Sequence, residues 1–362
     1  MEIAVLGGGH GCYAATADLS EAGHIVRFWR RDSDALAPVL GTGTIGLKDA
    51  HGTRAIKITK ITADLGEAVQ GAELIVIPLP AIAHEGLFPL LAPLLSDGQV
   101  VFLPPGSFGS YLLLKAARDA GNDADFAVAE TGTLPWLCRK HGTGEVAISV
   151  RATRLPTGAM PARECERALA VIARAFPSVE PIRDALDGAL MNAGPIIHPP
   201  LILMNAGPLE HFDEWDIHNE GTQVSIRAVT DALDAERVAV REALGYGAPH
   251  FPLADHYDDA REEWMYGDSS HEKLTDSGDW REKIDLKTHR YMREDVKIGL
   301  AFLVSAADYA GVPAPVAGGL LAMGSAVCGE DFRQTGRTFE SLGLAGLGRD
   351  ALRTLLDEGP KE

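Results

Sequence analysis

Six residues near the start, Gly7-Gly8-Gly9-His10-Gly11-Cys12, stand between an apolar run at 3–6 and an Ala-rich helical run at 13–22. Such a run of glycines allows a turn too tight for side chains, and lets backbone approach a phosphate at a helix N-terminus. Gly7 and Gly9 supply the first two glycines of the GxGxxG pattern that cradles a dinucleotide pyrophosphate, with His10 and Gly11 between them and the helix. Cys12 takes the third position, where a small side chain still lets helix and strand pack. The pattern alone is weak. Its context is stronger, because strand, loop, helix and a second strand at 25–29 fill the first 30 residues in order.

Further apolar runs at 73–77, 99–103, 126–131 and 145–151 alternate with helical patterns at 81–95 and 111–120. Continuous Val/Ile/Leu runs suit a parallel sheet covered on both faces, so the first half is expected to be a doubly wound α/β domain. The second strand ends Phe28-Trp29-Arg30-Arg31. Arg30 stands where an acid would bind the adenosine ribose of NAD, and Arg30 and Arg31 suit a 2′-phosphate. NADP(H) is therefore expected in preference to NAD(H); Asp32, two residues on, could be the ribose ligand in a different register, which leaves NAD open. Pro78, Pro80 and Pro104 follow two later strands and would wall the nucleotide.

From about residue 184 the strand-like runs stop and helical patterns follow at 185–193, 196–205, 224–244, 290–310 and 315–327. The chain is thus expected to divide into a nucleotide-binding domain at 1–184 and an all-helical substrate domain at 185–362. Segment 255–285 holds eleven Asp/Glu against four Lys/Arg. It reads as a solvated excursion, with a lid over a site as the alternative. Acidic residues outnumber basic ones 51 to 33 over the whole chain, so nucleic acid, which requires clustered Lys/Arg, is not expected as a partner. Four cysteines without a CxxC pair form neither a disulfide framework nor a zinc pattern. Apolar runs break before the ~18 residues of a spanning helix. A reduced, cytoplasmic protein that does not bind membranes is expected.

For chemistry, His198 lies in Gly-Pro-Ile-Ile-His-Pro-Pro, and alone would read as a core histidine. Asp295 could orient it as a general acid/base, and Arg290 could clamp a carboxylate. No HExxH, GxSxG or P-loop is present, and no histidine spacing suggests a metal.

The chain resembles the opine (octopine/nopaline-type) dehydrogenases nearly end to end. The resemblance rests on the glycine loop, Glu130-Thr-Gly with Cys138-Arg139, and Asn192 six residues before His198-Pro199. It continues through Asp234-Ala-Glu-Arg237, Arg290-Tyr, Glu294-Asp295 and Asp331-Phe-Arg. It implies a Rossmann domain followed by a helical substrate domain. It further implies NAD(P)H-dependent condensation of a 2-oxo acid, pyruvate first among them, with an amino acid or amine. His198 and Asp295 would be the catalytic pair, Arg290 the carboxylate ligand, and Glu130 and Asn192 neighbours of the substrate. Arg30 and Cys12 depart from the NAD-using members. A homodimer is left open. So are two rivals: a Rossmann dehydrogenase for 2-hydroxy acids or glycerol 3-phosphate, and a non-catalytic NADP sensor.

Overall fold

The computed structural model describes residues 1–258, 260, 264–267 and 269–361. They divide into two units. One comprises residues 1–79, 83–189 and 353–361; the other comprises 80–82 and the described residues of 190–352. Residues 353–361 group with the first unit rather than with the helical one.

In the first unit eight strands form one sheet. In spatial order they are Lys60–Thr62, Ile25–Trp29, Glu2–Leu6, Leu74–Val76, Val100–Leu103, Ala127–Thr131, Leu155–Met160 and Val179–Pro181. The first six are parallel and run in the order third, second, first, fourth, fifth, sixth, that of two mononucleotide-binding halves. Leu155–Met160 pairs antiparallel to Ala127–Thr131. The central residues Ile3, Val5, Leu74, Val100 and Phe102 are inaccessible, which is why these strands read as continuous apolar runs.

The same unit holds a second sheet of four strands, in the order Gly52–Lys57, Thr44–Asp49, Glu145–Arg151 and Trp136–His141. The strand expected near 145–151 belongs here, not to the parallel sheet. Helix His10–Glu21 packs against strands of both sheets, and this explains its burial nearly all round. Tyr13 meets Phe28 of the parallel sheet edge-on at 5.2 Å, while its hydroxyl donates to the carbonyl of Thr143 at 3.2 Å. On the second sheet, Trp136 Nε1 donates to Asp18 at 2.7 Å.

The second unit is mainly helical, with a two-residue ladder joining Trp215–Asp216 to Arg281–Glu282. Its long helix Val224–Ala243 buries Ile226, Thr230, Leu233, Arg237 and Val240, a stripe at three- and four-residue spacing. Glu236 on that helix accepts from the backbone N–H groups of Val316 and Ala317, stabilising the start of helix Pro315–Cys328. The helical pattern expected at 290–310 has two parts. Tyr291–Leu300 is π-helical, and Ala301–Ala310 continues it as α-helix. Helix Gly194–Met204 lies against the π-helix, and a Cβ on Gly299 would stand 2.1 Å from Pro195.

The acidic segment 255–285 is only partly described, since residues 259, 261–263 and 268 lie outside the described set. Its described part corrects the solvated reading. Trp264, Met265, Tyr266 and Trp280 are buried, and Ser270–Asp276 is a helix. The acidic residues masked an apolar side in the composition count.

Candidate active site

In the first unit the glycine loop turns directly into helix His10–Glu21. Gly7 has φ +120°, and a Cβ there would meet Leu79 at 2.4 Å and the Cys12 thiol at 2.8 Å. The space beside Gly9 is open to 4 Å, and no side chain caps the helix N-terminus. A helix N-terminus beside open space suits a pyrophosphate. Cys12 is buried with its thiol turned to the carbonyls of Leu6 and Pro78, both at 3.6 Å. Burial pushes this thiol up to about 12, so it stays neutral and acts as packing. His10 Nδ1 accepts from the backbone N–H of Lys140 at 2.8 Å, tying the helix start to the second sheet.

At the end of strand Ile25–Trp29, the Arg30 side chain lies over the loop, 2.6 Å from where a Cβ on Gly8 would be. Arg31 turns elsewhere and donates to the Gly86 carbonyl at 2.9 Å. The two arginines expected to act together thus point to different partners. Asp32 accepts from Ala35 N–H at 3.0 Å as the N-cap of helix Ser33–Thr42, so its carboxylate is already engaged. Pro78 and Pro104 are buried beyond their strands, and Pro80, which is half-buried, groups with the second unit.

Glu130 corrects the expectation of a substrate contact. It is fully buried and accepts from Phe108 N–H at 2.7 Å, Ser110 N–H at 3.2 Å and the Ser110 hydroxyl. Its carboxylate caps the start of helix Gly109–Asp119, where the residue at the N-cap, Phe108, has φ +61° and offers no capping side chain.

In the second unit, His198 Nδ1 lies 2.8 Å from Asp295 Oδ2, across 97 residues of sequence. The imidazole stacks on Tyr291 at 3.9 Å and meets His218 edge-on at 5.8 Å. These contacts fix the plane of the ring, and Nε2 is the nitrogen that the Asp295 contact does not use. Asn192 Oδ1 accepts from Gly194 N–H at 3.1 Å, ordering the first turn of the helix that carries His198. It is a buried cap and not a surface group.

Glu294 and Asp295 are adjacent and both buried. Burial pushes Asp295 up to about 7, against the pull of the Arg290 guanidinium. Burial, and next the charge of Asp295, push Glu294 up to about 7, while Arg290 and the Ala81 N–H work the other way. Glu294 Oε1 accepts from that N–H at 3.0 Å. Arg290 precedes the π-helix and is 41% exposed at its side chain, with Nη1 3.7 Å from Glu294 and its guanidinium 4.8 Å from the Tyr291 ring centre. Burial disfavours its charge, but Tyr291, Glu294 and Asp295 outweigh this and raise its pKa. The result is one half-exposed cation beside an oriented imidazole. Such an arrangement can hold a carboxylate and exchange a proton next to it. Three contributors have roles the sequence does not announce: Tyr291 as the stacking face, Gly194 against Asp295, and Lys140 beside the glycine loop. Each acts through a contact made only in the fold.

Residues 181–328 match the family model described as the α-helical domain of NAD/NADP octopine/nopaline dehydrogenase. The chain is 28% identical over 360 residues to an opine dehydrogenase of Arthrobacter sp. (strain 1C), covering 98% of both proteins. Among solved structures, octopine dehydrogenase with NADH and L-arginine superposes with a TM-score of 0.70 at 19% identity, over 99% of this chain and 98% of that one. Yersinopine dehydrogenase with NADP+ bound gives 0.63 at 14% identity, over 99% and 98%. These superpositions bear out the expected fold class, and the family match bears out the resemblance. No helix among the described residues is long and apolar enough to cross a membrane.

Proposed function

We propose that this chain, similar to the opine dehydrogenases, is an NAD(P)H-dependent oxidoreductase acting on a C–N bond. It condenses a 2-oxo acid, pyruvate foremost, with the amine of an amino acid and reduces the product to a secondary amine. The observation that carries this reading is the His198–Asp295 contact at 2.8 Å, with Arg290 five residues before the aspartate. The open, uncapped loop at Gly9 fits a dinucleotide. A bound nicotinamide supplies hydride to the C=N carbon.

Arg290 pairs with the carboxylate of the oxo acid and fixes which face of its carbon is presented. His198 holds the proton at Nε2 and gives it up where the amine and carbonyl combine and lose water. Asp295 keeps Nδ1 protonated and favours the imidazolium form. A positioned acid/base of this kind is typically worth about 10²–10⁴ in rate. Arg30 favours NADPH over NADH, by pairing with the 2′-phosphate. The amine is an L-amino acid, with apolar side chains preferred.

The test is product analysis from a matrix of oxo acids and amines incubated with NADPH. A secondary amine whose mass equals oxo acid plus amine, less one oxygen, supports the reading. A 2-hydroxy acid as sole product refutes it in favour of a simple dehydrogenase.

A further inference from the structure

The second sheet delivers a second cation to the glycine loop. Strand Trp136–His141 is tied to the start of helix His10–Glu21 through the Lys140 N–H and His10 Nδ1. The Lys140 ammonium then lies 4.6 Å from the centre of the Tyr13 ring. Tyr13 is itself held at both ends, by Phe28 and by the Thr143 carbonyl. Arg30 reaches the glycine loop from the end of strand Ile25–Trp29, its Nε 2.6 Å from where a Cβ on Gly8 would stand. Its guanidinium also donates to the Ala35 carbonyl, a long contact at 3.4 Å.

Neither cation is ion-paired with a carboxylate among the described residues, in a chain whose net charge is −18. Elsewhere in the same unit basic side chains are matched: Arg27 with Glu2, Arg54 with Asp49, Arg151 with Asp18. Two like charges beside a nucleotide loop, with no built-in counterion, repel one another until an anion arrives. Burial, and then the Arg30 charge, hold Lys140 below the usual lysine range.

We propose that Lys140 is a specificity-determining residue, which with Arg30 forms a two-cation seat for the phosphate monoester on the adenosine ribose of NADPH. This rests on the nucleotide-dependent reading above and extends it to a residue 110 positions from Arg30. The Tyr13 ring backs the ammonium and limits its freedom, so less is lost when the phosphate binds. The alternative anion is the pyrophosphate, which NADH and NADPH share. That common feature makes the two separable.

The experiment is equilibrium titration of the intact protein, by calorimetry, with NADPH, NADH, 2′,5′-ADP and 5′-ADP. Wild type should bind the 2′-phosphorylated member of each pair more tightly. Lys140→Met should weaken NADPH and 2′,5′-ADP by roughly 10-fold, one charge-assisted contact, and leave NADH and 5′-ADP within about twofold. Lys140→Arg should restore the preference. Equal losses for all four ligands would place Lys140 at the pyrophosphate or in folding, and overturn the proposal. Unchanged NADPH affinity would overturn it as well. Wild type that prefers NADH yet still forms secondary amines would sink this proposal alone. Wild type that binds no nucleotide would sink the proposed function with it.

Discussion

Gly194 makes room for Asp295: a Cβ on Gly194 would stand 2.4 Å from Asp295 Oδ1. The other carboxylate oxygen is the one 2.8 Å from His198. The glycine therefore sets how closely the helix carrying His198 can approach the π-helix carrying Asp295. π-Helical turns are rare and recur at functional sites. Here the π-helical stretch begins next to Arg290 and includes both carboxylates.

Gly194→Ala should accordingly push the Asp295 carboxylate off its contact. Alanine alone would favour a helix by about 0.5–1 kcal/mol, so the fold should survive. We expect kcat to fall at least ~10-fold, with NADPH binding unchanged. Normal kcat in Gly194→Ala would mean that the Asp295 position is not critical.

Much of the nucleotide-binding unit is legible because its signals are local. Gly7 through Cys12, the apolar strand before them and the helix after them all lie within some twenty residues. Trp136–His141 and Thr44–Asp49 are harder to place. They lie in one sheet although nearly a hundred residues apart, and their alternating polar residues carry no sign of a partner. The π-helix is hidden for another reason: Tyr291, Asp295 and Ile298 keep a spacing that reads as ordinary helix. Glu130 misleads because its neighbours, Ser107 at φ +49° and Phe108 at φ +61°, adopt a turn with no glycine to announce it. A carboxylate spent on that turn looks, in sequence, like one left for substrate. His198 and Asp295 could be nominated from residue type and resemblance. Their contact depends on Gly194 and Gly299, whose need for smallness appears only when the helices are packed.

The His198 variants separate chemistry from binding. His198→Ala should lower kcat by about 10²–10⁴ and leave NADPH affinity within about twofold. Asp295→Asn should lower kcat while preserving the hydrogen-bond geometry, because it removes the charge that favours imidazolium. Stopped-flow measurement of a single turnover checks both. A His198→Ala enzyme at near-normal rate would leave only a packing role for the ring.

Arg290→Ala should raise KM for the oxo acid by roughly 10–100-fold, since a charge-assisted contact is worth about 1.5–3 kcal/mol. NADPH affinity should not follow. Arg290→Lys should recover little, because the ammonium cannot make the planar pair. Steady-state kinetics with each substrate varied in turn decides this, and equal effects on both substrates would contradict it.

Glu294 gives a pH-dependent stability difference. Its pKa is raised on folding to about 7, from a reference value of 4.5, by burial and by Asp295. The folded protein therefore holds this proton more tightly than the unfolded chain. That stabilisation is complete below about pH 4.5 and is lost as pH rises through about 7. Glu294→Gln keeps the acceptor for Ala81 N–H but cannot ionise. Wild type should thus lose stability relative to Glu294→Gln over this window, by a few kcal/mol at most. Denaturant titrations of both proteins at pH 4.5, 6 and 7.5 measure it. A constant difference would mean that Glu294 is not perturbed.

The central claim is that hydride transfer needs a condensed C=N substrate. It is tested most directly by the rate of NADPH oxidation with purified protein and pyruvate, with and without an L-amino acid. The account predicts turnover only when the amine is present, saturating in its concentration. Pyruvate reduction at the same rate without any amine would contradict it.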